Sequence, residues 1–201
     1  MRGLLDRFSV DLDFDLKREA HKEVLKNKLH AIFSKLCFTI KEQHKTALLF
    51  ILRYDAKYSV RNTLKISIVD DPPQSNIYEA VYLSEIDRYV NTHTVETMVA
   101  NKLVAPIDRY EKHGTIAGRD IYDIHYFLSH GYGYRHAIIK ERRNVEADVY
   151  IHQLIAFIRK NVTQKVIDQD LNTLLPKDVF TLVRKTLIYE TLVLLSDSLK
   201  Y

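Results

Sequence analysis

The sequence predicts an α+β protein in two parts, a sheet-forming first half and an all-helical second half. Three observations carry this. Residues 8–16 alternate apolar and polar side chains, β-branched and aromatic runs recur as far as residue 83, and beyond about residue 95 the apolar residues recur at helical spacing. The expected division is a partial sheet domain over 1–92 and a helical lobe over 93–201 that completes a cleft. DDPPQSN at 70–76 reads as an internal loop, with a softer boundary near 91–94.

Taken in order, Phe8, Val10, Leu12, Phe14 and Leu16 share one face of the first strand, and Ser9, Asp11, Asp13 and Asp15 share the other. Residues 17–36 follow the helical period through Val24, Leu25, Leu29, Ile32 and Phe33. Runs at 37–41, 47–54, 63–69 and 78–83 read as strands. Helices are expected at 95–105, where Pro106 ends the first, at 119–128, closed by Gly131, and at 146–160 and 177–195.

At 201 residues and 46% hydrophobic, the chain can bury a real core. Nothing in it approaches the roughly 20 apolar residues of a membrane span, and the N-terminus shows neither the apolar run nor the cleavage site of a secretory signal. A soluble cytoplasmic protein with no membrane partner is the expectation. The single cysteine, Cys37, excludes an internal disulfide and reads as a buried thiol within FSKLCFTI. A net charge of +4 mildly favours polyanionic partners.

Asp11 and Asp13 stand two apart on a strand, so both carboxylates project from one face about 7 Å apart, able to grip one or two divalent cations. Magnesium suits such hard oxygen ligands. A solvated strand face is the competing reading. Lys102 falls on one helical stripe with Val95, Met98 and Val99, where a cation needs an anionic partner or a route for its amine to water. In GRDIYDIHYFL, Asp120 and Asp123 lie one turn apart beside the apolar Ile121, Ile124 and Leu128. Asp120 also suits the helix dipole, and Arg119 with Asp123 forms an i,i+4 pair.

The ordered set RFSVDLDFDL, KLVAPIDR and RDIYDIHYFL resembles the nucleotidyltransferase-like toxins of the AbiEii/AbiGii type, found in abortive-infection and type IV toxin–antitoxin systems. The resemblance runs to about Gly131 and implies a nucleotidyltransferase-like mixed sheet with helices. It places Ser9, Asp11, Asp13, Lys102, Arg109, Asp120 and Asp123 at the family's motif positions. By the resemblance, Asp11 and Asp13 hold magnesium on a nucleoside triphosphate, Lys102 steadies the phosphates, and Ser9, Arg109 and Asp123 assist nucleotide binding. Asp120 orients or deprotonates the acceptor, or positions Lys102. An RNA acceptor such as tRNA and a cognate antitoxin are the implied partners.

Two departures set further expectations. The family strand follows a Gly-Gly-Thr or Gly-Ser turn that cradles phosphate, whereas only MRGLLD precedes Arg7 and Gly3 cannot supply that turn, so either a truncated product of a longer gene or a degenerate site is expected. Where many nucleotidyltransferases carry a third carboxylate, LKISIVD offers Ser67, with Asp70 and Asp71 only at the strand end. The alternative function is therefore a catalytically silent relative that binds a nucleotide or a partner. A first strand lacking its usual neighbour would also present an edge for dimerisation.

Other motifs weigh less. Arg119 and His125 match the R-x(4-6)-H spacing of HEPN ribonucleases, but the strand-rich first half opposes that all-helical fold. The histidines show no metal-ligand spacing, KERR at 140–143 reads as a solvated connection between helices, and HGYGYRH at 130–136 reads as a helix cap whose tyrosines could also stack on a base.

Overall fold

The computed structural model describes residues 5–9, 11–17, 19–56 and 62–200. The expectation concerning Gly3 falls outside them, as does the placement of Val10. The chain forms two compact units, Ser9–Pro72 and Met1–Phe8 with Pro73–Tyr201.

The unit Ser9–Pro72 contains β1 (Asp11–Asp15), α1 (Lys22–Lys35), β2 (Thr39–Gln43), β3 (Leu48–Arg53) and β4 (Thr63–Val69). The strand order is β1-β4-β3-β2, with β1 parallel to β4 and the other pairs antiparallel. Leu48, Phe50 and Leu52 alternate on β3 and are buried, as a strand with one covered face requires. From α1, Phe33 meets Phe50 edge-on at 5.2 Å, and Leu25 and Leu29 join the same core with Leu12, Leu16 and Ile66. Phe14, expected on this buried stripe, stays exposed because β1 is the edge strand.

The run at 37–41 gives way to β2 beginning two residues later, because Cys37 ends α1 instead of starting a strand. It sits in the left-handed region (φ 57°), its amide donates to Ser34 and the next amide, Phe38, donates to Phe33, closing the last turn. Cys37 is consequently exposed, not the buried thiol that its apolar neighbours suggested.

The second unit opens with an antiparallel ribbon, β5 (Tyr78–Leu83) and β6 (Arg88–His93), whose second strand the sequence reading did not mark. Seven helices follow: α2 (Val95–His113), α3 (Gly118–Ser129), α4 (His136–Arg143), α5 (Ala147–Asn161), α6 (Gln164–Leu171), α7 (Lys177–Val183) and α8 (Leu187–Asp197). Their core gathers Val99 and Leu103 of α2, Ile121 and Ile124 of α3, and Ile151 and Leu154 of α5, all fully buried.

Pro106 does not end α2. It lies buried inside the helix, and the chain turns only at Gly114, in the left-handed region (φ 65°) that favours glycine. Arg109 is therefore a helical residue two turns beyond Lys102 on the same face. KERR is not a connection but part of α4: Arg142 and Arg143 both bind Asp108, and Arg143 also forks onto Glu111 with both distances 2.8 Å. The single helix expected over 177–195 is two, parted by a turn at 184–186 where the Gln164 side chain donates to the Arg184 carbonyl at 2.7 Å. HGYGYRH caps α3: Gly131 (φ 74°) and Tyr132 donate to Leu128 and Phe127. No helix among the described residues is long and apolar enough to cross a membrane.

Candidate active site

In the helical unit, α2 and α3 pack together and bring four of the expected residues into two ion pairs. Lys102 Nζ lies 2.8 Å from Asp123 Oδ2, and Arg109 Nε lies 2.8 Å from Asp120 Oδ2. The seven-residue step between the two cations matches two helical turns, which is why both face α3. The acids are buried, with side-chain exposures of 0% for Asp123 and 4% for Asp120, while Lys102 (35%) and Arg109 (32%) reach solvent. Burial of a carboxylate is costly unless it is paired, so each aspartate fixes its cation in place.

Asp123 has a second partner that the sequence reading missed. Arg7 forks onto it, Nε 2.5 Å from Oδ1 and Nη2 2.7 Å from Oδ2. Burial alone would lower the Arg7 pKa, yet the bond and charge of Asp123 raise it above its ordinary value. Arg7 and Lys102 both lie on the Asp123 oxygens, and the Arg119 amide donates to Asp170 at 3.0 Å. Nearby, the Tyr122 hydroxyl donates to Asp6 at 2.6 Å, and the Phe8 amide to the Leu174 carbonyl at 2.9 Å. Arg7 was legible only as a basic residue just ahead of the acidic strand; its partner lies 116 residues away.

The α3 start is set by Gly118. A Cβ there would stand 2.9 Å from the Val166 carbonyl oxygen and 3.1 Å from the Ile167 Cα, so only glycine lets α3 approach α6 this closely. This seats Asp120 in the first turn, opposite Arg109.

In the unit Ser9–Pro72, the sheet face turned away from α1 carries Asp11, Asp13 and Asp15. Across the parallel β1–β4 pair Asp11 neighbours Lys65 and Asp13 neighbours Ser67. Ser67 thus stands on the acidic face where a third carboxylate would have added charge. Asp70, at the strand end, is paired with Lys22, and that bond holds its carboxyl below the usual carboxylate range. The Ser9 hydroxyl makes only a long contact of 3.4 Å to the Asp11 carbonyl. Among the described residues no group of three or more His, Cys, Asp or Glu side chains gathers into a metal-holding cluster.

The two ion pairs lie in KLVAPIDR and RDIYDIHYFL, two of the segments that resemble the AbiEii-type toxins. The family model described as nucleotidyl transferase AbiEii toxin, type IV toxin–antitoxin system, matches residues 1–186. The chain belongs to this family. No curated protein and no solved structure matches it. Of the residues that the resemblance places at motif positions, Lys102 and Arg109 pair with Asp123 and Asp120 in the helical unit, and Ser9, Asp11 and Asp13 belong to the sheet unit. The mixed sheet and the helices following it agree with a nucleotidyltransferase-like fold.

Proposed function

We propose that this AbiEii-family chain is a magnesium-dependent nucleotidyltransferase that moves a nucleotide from a nucleoside triphosphate to an RNA acceptor, tRNA among them. The observation that carries this reading is Lys102, a cation anchored by a buried acid yet one-third exposed, in a family whose chemistry handles triphosphates.

Asp11 and Asp13 fit magnesium by their donor chemistry. They offer hard, anionic oxygens on one strand face, Asp13 is exposed, and water and phosphate oxygens would complete the coordination. Bound there, magnesium would supply charge neutralisation on the phosphates during in-line displacement of pyrophosphate.

In this reading Lys102 binds the phosphates and Arg109 adds positive charge beside them. Asp120, buried on Arg109, serves as the anchor of that cation and not as the base that accepts the RNA hydroxyl proton. A separately encoded antitoxin is the cognate partner, in keeping with the family's toxin–antitoxin systems, and the cytoplasm is the proposed location. Incubating the chain with labelled nucleoside triphosphates, magnesium and total tRNA tests the function. Label on RNA supports it; nucleotide binding with no transfer under any acceptor points to the silent, nucleotide-binding relative instead.

A further inference from the structure

Asp123 is one carboxylate shared by two cations. Arg7 takes both of its oxygens and is itself nearly buried, with 8% of its side chain exposed, whereas Lys102 makes a single bond and is the exposed member of the three. The trio carries one positive charge in excess, and the exposed ammonium is where that charge meets solvent. Lys102 and Asp123 without Arg7 would be a neutral pair. A neutral pair has little attraction for a polyphosphate, and the ammonium would be free to settle onto both carboxylate oxygens.

We propose that Arg7 is a positioning residue: by satisfying Asp123 with its guanidinium fork, it leaves Lys102 singly bonded and its charge available to an anionic ligand. This rests on the reading of Lys102 as the phosphate-binding cation. Arg7 itself needs no contact with substrate. Its buried fork matches the planar geometry of a carboxylate, which a point charge such as lysine reproduces less well.

The test is binding of inorganic triphosphate to the full chain by titration calorimetry, with thermal melting as the control for folding. Arg7→Gln is expected to weaken binding about tenfold, the effect of losing one charge close to a partly exposed site. The double variant Arg7→Gln with Asp123→Asn removes one charge of each sign, restores the excess on Lys102 and should bind within about threefold of the wild type. A residue that merely held the fold together would not be rescued this way. The double variant also buries no unpaired charge, so it reports even if Arg7→Gln alone fails to fold.

Weak binding by the double variant, or wild-type binding by a folded Arg7→Gln, overturns the proposal. Lys102→Met separates the two levels: if it binds triphosphate as the wild type does, the phosphate role of Lys102 has failed. A second readout tests Arg7 in that event. Acylation of Lys102 by an amine-reactive ester, followed by mass spectrometry, should slow severalfold in Arg7→Gln and recover in the double variant. An unchanged rate in Arg7→Gln overturns the positioning role without reference to any ligand.

Discussion

Arg109 and Asp120 join α2 to α3 through a charge-assisted bond of 2.8 Å, on the stretch of α2 that continues past Pro106. The carboxylate is almost wholly buried and the guanidinium about one-third exposed. Arg109→Ala would leave Asp120 without this partner in a dry setting. It should destabilise the chain by about 2 kcal/mol, below the 3–5 kcal/mol range of fully buried pairs because solvent reaches Arg109. Chemical denaturation checks this, and Arg109→Lys should recover part of the loss.

Lys102→Met separates stability from function. Asp123 keeps its fork from Arg7, so the variant should melt close to the wild type. Nucleotidyl transfer should fall about a hundredfold, the usual cost of removing one charged group that stabilises developing charge. Steady-state rates on the folded variant measure it.

Gly118→Ala should weaken the seam between α3 and α6. The new methyl would press on the Val166 carbonyl and the Ile167 Cα, both backbone atoms that cannot swing aside. A destabilisation of about 1–3 kcal/mol is expected from overpacking, outweighing the gain in helix propensity at a first-turn position. The midpoint of urea unfolding reports it.

The Arg143–Glu111 fork makes part of the stability depend on pH. The bond from Arg143 holds the Glu111 carboxyl below its ordinary value of 4.5. Its contribution is therefore complete above that value and is lost as pH falls through the lower folded-state value. In thermal melts, Glu111→Gln should be slightly less stable than the wild type above about pH 4.5, the difference small because the group is mostly exposed, and the two should converge in acid.

The elements whose side-chain period is long and clean were legible in the sequence. The β3 and β4 strands and the α3 and α5 helices begin and end within a residue or so of where alternation and helical spacing put them. Missed were β6, α4 and α6, which are short and polar, so that KERR passed for a connection when its arginines are committed to Asp108 and Glu111. The α2 helix outran its expected end because tertiary burial of Pro106 outweighed the local cost of a proline. Of the candidate site, the types and order of Lys102, Arg109, Asp120 and Asp123 could be read. Their pairing could not, because it depends on how two helices face each other. Arg7 was invisible for the same reason: nothing local distinguishes an arginine whose carboxylate lies on a distant helix.

Asp13 gives the most direct test of the function. Its side chain is exposed on an edge strand, so Asp13→Ala should leave the melting temperature essentially unchanged. With labelled nucleoside triphosphate, magnesium and total tRNA, the wild type is expected to place label on RNA and the equally stable Asp13→Ala chain to place almost none. Label transferred undiminished by Asp13→Ala would contradict the magnesium-dependent mechanism, and no label from the wild type would contradict transfer itself.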